Sequence, residues 1–202
     1  MIKAIVFDLG NVVLTNDHPY NTPTELAEFC QYLGTTMDNL DTAFEMSFPD
    51  YSLGKKTEDE FWEKFLYVAR AKKIDIEYAK KFWRKNQKEN EHMLEFLKTL
   101  KNKYKIAALS TIPREWLDYK RERFGLDNYF EFIVSSGYSG LAKPDPKIYD
   151  LLIKKMQLEP NTILFIDDKE TVLPPAQDLG IKTYLFRGQN DLEKELAKRN
   201  LL

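Results

Sequence analysis

Five short apolar runs constrain this chain more than any other feature. They are Ile2–Phe7, Ile106–Leu109, Phe132–Ser135, Ile163–Ile166 and Lys182–Phe186. Most show no apolar–polar alternation, as expected of strands covered on both faces. The last four are separated by helical stretches at Arg114–Phe124, at Pro146–Met156 and near Thr171–Leu179. Strands that alternate with helices pair in parallel, so the sequence predicts an α/β layered fold around a parallel sheet.

The stretch between the first two runs, from Leu14 to Tyr104, holds no convincing strand but several helix signals. Thr22-Pro23-Thr24-Glu25 combines a capping Thr, Pro at the first helical position and Glu at the third. Thr57-Glu58-Asp59-Glu60 repeats the capping box ahead of Phe61, Phe65 and Leu66. Asp75 opens a helix carrying Tyr78, Phe82 and Trp83. A further helix near Glu91–Leu100 carries Met93, Leu97 and Leu100 and leads back to the core. Such a segment is too long for one crossover helix. The expected division is a core of residues 1–14 and 95–202 with a helical insert over 15–94. Aromatic residues at helical spacing in the insert are expected to form its own small core.

Composition removes several function classes. Hydrophobic residues make up 43% and charged residues 31%, the mix of a folded soluble chain. A formal net charge of -2 gives no basic excess for nucleic acid. No apolar run reaches the roughly 18 residues of a membrane span, and the run Ala4–Phe7 is too short for a signal-peptide core. One cysteine, Cys30, excludes an internal disulfide and fits a reducing, cytoplasmic setting. Its neighbours Leu26, Phe29 and Leu33 mark it as a small buried apolar residue. His18 and His92 are too isolated to pair as ligands. No glycine-rich loop of nucleotide-binding spacing occurs, so no nucleotide cofactor is expected.

Ligands in open α/β sheets bind beyond the carboxyl ends of the strands. There the sequence places Asp8, the pair Ser110-Thr111 and the pair Asp167-Asp168, with Lys143 just before the helix at Pro146. Singly, each has a bland role: a turn Asp, a helix cap, a solvated acidic pair, an exposed Lys. Together they form a chemical set. Asp8 can attack phosphorus to give an aspartyl-phosphate. Three clustered carboxylates repel one another unless a cation sits among them, and oxygen ligands beside a phosphate suit Mg²⁺. Ser110 can donate to a phosphoryl oxygen, and Lys143 can hold the nucleophile and offset phosphate charge.

The segments IVFDLGNVVL, ALST, KPDPKIY and LFIDDKETVLPPAQDLGIKT resemble the haloacid dehalogenase-like hydrolase superfamily, over nearly the whole chain. The resemblance implies a Rossmann-like core with a helical cap inserted after the first strand. It also implies Asp8 as nucleophile, Ser110 as the phosphate-binding hydroxyl, Lys143 as the lysine and Asp167 with Asp168 as the acidic metal pair. The Gly10 backbone carbonyl is implied as a further Mg²⁺ ligand. The expected substrate is a small phosphorylated metabolite, met by a monomer or homodimer, with no nucleic acid or membrane partner.

Departures from that pattern matter. The family usually has a second Asp two residues after the nucleophile, as acid for the leaving group and then base for water. Here the position is Gly10, and such assistance is commonly worth about 10²–10⁴-fold. A slow enzyme or a good leaving group is implied. The DLGNV form also resembles sugar-phosphate phosphatases acting on glucose 1-phosphate, whose anomeric phosphate leaves easily. Thr111 stands where Asn is frequent, and Val172 where many relatives have Asn. Two alternatives follow: a metal-independent 2-haloacid dehalogenase, and a degenerate domain that only binds. Specificity is expected from Thr15–Asn21 and Phe48–Lys56. Arg114 is expected at the surface and Trp116 in packing.

Overall fold

The computed structural model describes residues 1–15, 23–85 and 87–202. Strand β1 spans Ala4–Phe7 and a short β2 spans Leu14–Thr15. Helices α1 (Pro23–Leu33), α2 (Met37–Ser52), α3 (Glu58–Val68) and α4 (Ile76–Lys85) follow. After β3 (Lys88–Glu89) come α5 (Glu91–Lys101), β4 (Lys105–Ser110), α6 (Arg114–Phe124) and β5 (Ile133–Ser135). The chain continues through α7 (Ser136–Ser139), α8 (Pro146–Met156), β6 (Ile163–Asp167), α9 (Leu173–Asp178), β7 (Lys182–Leu185) and α10 (Gln189–Lys198).

The main sheet has the order β5-β4-β1-β6-β7, and its neighbouring strands all pair in parallel. From β1 the chain steps outward to β4 and β5, then returns to the far side of β1 as β6 and β7. Connections therefore diverge between β1 and β6, and a crevice opens over their carboxyl ends. This bears out the predicted α/β fold with its parallel, Rossmann-like core.

Alternation along the strands fills two cores, one on each face. Ile5 and Phe7 point into one with Leu97, Leu117 and Leu192, while Ala4 and Val6 point into the other with Ile148, Leu152 and Phe165. Apolar side chains buried on both faces are why these runs read as continuous. Each fully buried Leu, Ile or Phe contributes about 1.5–3 kcal/mol.

Helix starts follow the predicted chemistry. At α3 the Thr57 amide donates to Glu60 Oε2 (2.8 Å) while the Glu60 amide donates to Thr57 Oγ1 (3.3 Å). Asp75 Oδ1 accepts from the Tyr78 amide ahead of α4, and Asn90 Oδ1 from the Met93 amide at α5. The capping role expected of Thr22 lies outside the described residues, as does His18. His92 is exposed. Cys30 is 8% exposed in the core, and burial, with Asp41 beside it, pushes its thiol pKa up.

Two elements differ from expectation. Helix α2 has no clear sequence signal, because Pro49 lies inside it and its buried positions mix apolar with polar residues: Leu40, Ala43, Ser47, Tyr51 and Ser52. The 14–104 stretch also contains strands after all. Leu14 pairs with Glu89 and Thr15 with Lys88, antiparallel, so β2 and β3 tie together the two ends of the helical segment. Two-residue strands carry too short a pattern to be read from sequence.

The helical segment docks on the core through aromatic side chains. Trp116 of α6 stacks on Trp83 of α4 at 4.0 Å and meets Phe48, Tyr51 and Phe61 at 5.4–5.7 Å. Trp116 thus packs as expected. Ser136 Oγ donates to the Ser52 carbonyl (2.6 Å), joining α7 to the end of α2. At Gly54 (φ +69°) any Cβ would strike the Gly137 carbonyl, so this seam tolerates no side chain. Exposed Arg114 donates to that same carbonyl at 2.7 Å and belongs to the seam. Among the described residues no helix is long and apolar enough to cross a membrane.

Candidate active site

Every residue predicted at a strand end lies at the crevice edge. Asp8 follows β1, and its amide donates to the Ile166 carbonyl of β6 (2.9 Å), which fixes the two strand ends side by side. Asp167 is the last residue of β6; its backbone carbonyl accepts from the Phe186 amide (2.8 Å). Ser110 ends β4. Lys143 arrives from the turn before α8, whose start Asp145 caps by accepting from the Lys147 amide (3.0 Å).

Lys143 is the hub. Its Nζ donates to Asp8 Oδ1 at 2.8 Å and to Asp167 Oδ2 at 2.6 Å, the short lengths of charge-assisted bonds. All three side chains are nearly buried, at 5%, 9% and 0% exposure. Burial lowers the Lys143 pKa, but the Asp8 and Asp167 carboxylates outweigh it, and the net direction is upward. The ammonium stays charged and locks the Asp8 carboxylate in place. The second oxygen of Asp167 accepts from the Lys169 amide (2.9 Å).

Asp168 completes the group. Asp8, Asp167 and Asp168 each offer a carboxylate oxygen, all within 4.8 Å of one another. Asp168 Oδ2 accepts from Asn11 Nδ2 at 3.3 Å, but its buried Oδ1 has no hydrogen-bond partner. An orphaned, buried carboxylate oxygen in a cluster with more negative charge than Lys143 alone balances fits a hard divalent cation. The donor set is all oxygen, as Mg²⁺ prefers.

Two adjoining hollows meet at Asp8. One, of about 120 Å³, is lined by Asp8, Ser110, Thr111, Lys143, Lys169 and Val172. The other, of about 200 Å³, is lined by Asp8, Gly10, Asn11, Phe44, Phe48, Thr111, Asp168 and Lys169. The first is polar and of phosphoryl size. Thr111 faces both, and its buried hydroxyl is without a protein partner. The Val172 backbone carbonyl accepts the buried Tyr149 hydroxyl (2.6 Å); burial pushes that Tyr149 hydroxyl's pKa up, with Asp167 and Asp8 adding to it.

Three lining residues escaped the sequence reading. Asn11 sits with φ +56°, a left-handed turn conformation that a strand-end Gly-Asn pair signals. Lys169 follows the acidic pair directly. Phe44 lies one helical turn before Phe48 on α2, and neither α2 nor its direction was legible. Of the segment 48–56 expected to shape specificity, Phe48 lines the larger hollow, whereas Asp50 and Lys56 line a separate one on the insert. From Thr15–Asn21, Thr15 pairs in β2 and the rest lies outside the described residues.

Comparison with known proteins agrees with this architecture. A family described as haloacid dehalogenase-like hydrolase matches residues 2–180. A D-ribitol-5-phosphate phosphatase of Bacteroides thetaiotaomicron is 27% identical over 204 residues, 98% of each chain. The pig (Sus scrofa) bifunctional epoxide hydrolase 2 is 37% identical over 119 residues, 55% of this chain. This chain spans about a fifth of that protein's length (21%). Among solved structures, a HAD family enzyme of B. thetaiotaomicron in complex with magnesium and inorganic phosphate superposes with TM-score 0.79 at 24% identity, covering 94% and 96% of the two chains. An L-2-haloacid dehalogenase, PA0810, shares the fold at TM-score 0.68 and 20% identity over 92% and 85%.

Proposed function

The chain belongs to the haloacid dehalogenase-like hydrolases, and from that premise we propose that it is a Mg²⁺-dependent phosphatase of small phosphorylated metabolites, sugar phosphates among them. The observation that carries this is the Asp8–Asp167–Asp168 cluster with one buried oxygen unpartnered beside the Lys143-bound nucleophile. A dehalogenase releases halide without a proton and has no use for a cation held by several carboxylates, so the cluster favours phosphoryl transfer. The full-length relative named for ribitol 5-phosphate points the same way.

In this proposal one Asp8 carboxylate oxygen attacks phosphorus while Lys143 holds Oδ1. The ester P–O bond breaks, its electron pair stays on the departing oxygen, and an aspartyl-phosphate forms on Asp8. Water then attacks phosphorus, the P–O bond to Asp8 breaks, and inorganic phosphate leaves. Ser110 and Thr111 hydroxyls donate to phosphoryl oxygens from the end of β4. Asp8, Asp167, Asp168 and the Gly10 carbonyl would hold Mg²⁺, which supplies charge neutralisation for the phosphoryl group. The insert over residues 15–94 serves as a cap above the crevice. A cytoplasmic setting fits the single, buried Cys30.

Phosphate release from a panel of phosphate monoesters, with Mg²⁺ and with EDTA, tests this. Turnover that EDTA abolishes is expected. Halide release from 2-haloacids in EDTA, with no ester hydrolysed, would overturn it.

A further inference from the structure

We propose that this site selects phosphate esters of weakly basic, flat apolar leaving groups, aryl or enol phosphates, over esters of acyclic polyols. This deepens the phosphatase proposal and rests on it. The larger hollow receives whatever is attached to the phosphoryl group at Asp8. From the helical insert, its described lining is Phe44 and Phe48 alone. Their rings stack at 4.6 Å and 17°, and Trp116 braces Phe48 from the core at 5.7 Å. On this side the two rings offer no hydrogen-bond donor or acceptor to a polyol, and the polar lining, Asn11, Thr111, Asp168 and Lys169, lies on the sheet side next to the phosphoryl position. Hydroxyls pressed against the rings would lose water without replacement, which disfavours them. A flat ring gains contact there. The hollow's volume, about 200 Å³, suits one ring.

Acid–base chemistry points to the same class independently. Position 10 is glycine, and the described insert residues lining the hollow carry no carboxyl or imidazole. On the sheet side the carboxylates are Asp8, the nucleophile, and Asp168, which belongs to the acidic cluster. Among the described residues, then, no carboxyl or imidazole besides these two lines the hollow to protonate the departing oxygen. An aryloxide or enolate tolerates this better than an alkoxide does. As the Asp8–P bond forms, the aryl O–P bond breaks and its electron pair leaves with the aryl oxygen.

The test is kcat/KM with Mg²⁺ for phenyl phosphate, para-nitrophenyl phosphate and ribitol 5-phosphate, on the wild type, Phe48→Ala and Phe48→Leu. The wild type is expected to favour phenyl phosphate over ribitol 5-phosphate by about tenfold or more. Both variants should lower that ratio, Phe48→Ala by about 2- to 10-fold and Phe48→Leu, which keeps an apolar wall and the helix packing, by less. Para-nitrophenyl phosphate should exceed phenyl phosphate in kcat, since its leaving group is less basic. A wild-type preference for ribitol 5-phosphate, or a ratio unmoved in both variants, overturns the inference while leaving the phosphatase proposal standing. If no ester is hydrolysed and beryllium fluoride does not bind, the phosphatase proposal falls and this one with it.

Discussion

Two buried ion pairs in this molecule look alike and behave differently. At the crevice, Lys143 bridges Asp8 and Asp167 while Asp168 keeps a buried oxygen without a partner. At the docking seam of the insert, Arg84 of α4 meets Glu58 of α3 at 2.7 Å, and Trp116 Nε1 donates to the other Glu58 oxygen at 3.3 Å. The seam pair is balanced one to one and its carboxylate is satisfied on both oxygens. The crevice group has a surplus of negative charge and an unfilled acceptor. At the seam the unpartnered buried atom is a donor, Arg84 Nε; at the crevice it is an acceptor, which suits a cation. Burial sets the direction at Glu58, whereas at Lys143 the two carboxylates outweigh it, and of the two places the crevice keeps charge in excess of its partners.

The contrast can be broken most sharply at Asp8, the proposed nucleophile. Asp8→Asn keeps shape and the crevice but removes the attacking oxygen, so turnover should fall by roughly 10³–10⁶-fold with the circular dichroism spectrum unchanged. Activity within tenfold of the wild type would remove Asp8 from the centre of the chemistry.

Next in size is the stability difference between the two pairs. Lys143→Met leaves two buried carboxylates facing each other and should cost about 3–5 kcal/mol. Glu58→Gln keeps an acceptor for Trp116 and leaves a partly exposed Arg84, so about 1 kcal/mol or less is expected. Urea midpoints measured side by side would show it. Equal losses would mean that the crevice pair is structural in the same sense as the seam pair.

Metal linkage comes third. Mg²⁺ at a hundred times its dissociation constant should stabilise the wild type by about 2.7 kcal/mol, read as a rise in Tm. In Asp168→Asn that rise should shrink, whereas in Glu58→Gln it should persist. A rise equal in all three proteins would place the cation elsewhere.

The smallest effect concerns pH. Burial holds the Glu58 carboxyl above the ordinary glutamate range, although Arg84 pulls it down. The folded state therefore binds this proton more tightly than the unfolded chain does. Its stabilising contribution is full at low pH and declines as pH rises from the ordinary value of 4.5 through the raised one. The stability of Glu58→Gln relative to the wild type should accordingly improve as pH rises through that window. A difference that is flat with pH would show that Arg84 fully offsets burial.

Much of the fold was legible because its signals are local. Helices at Arg114–Phe124 and Pro146–Met156 begin and end where expected. The five apolar runs form the five strands, shifted by a residue or two at their ends. Asp8, Ser110, Thr111, Lys143, Asp167 and Asp168 were all legible as candidates, since strand ends mark where an α/β sheet presents its ligands. What escaped notice has weak local signal. Helix α2, interrupted by Pro49, hid Phe44, and the two-residue β2 and β3 have no periodicity to detect.

By itself, then, the sequence determined the elements and the residue types at the crevice, because apolar runs, caps and strand-end polar residues act over a few positions. Only the tertiary structure decided how Asp8 and Lys143, separated by 135 positions, share a hydrogen bond. Only it brought Phe44, Phe48 and Gly10 to one hollow, and only it showed that Asp168 keeps an oxygen unpartnered. Such facts depend on which surfaces pack together once the strands are ordered. Asp8, Lys143, Asp167 and Asp168 were nameable from the sequence; their shared charge imbalance belongs to the fold.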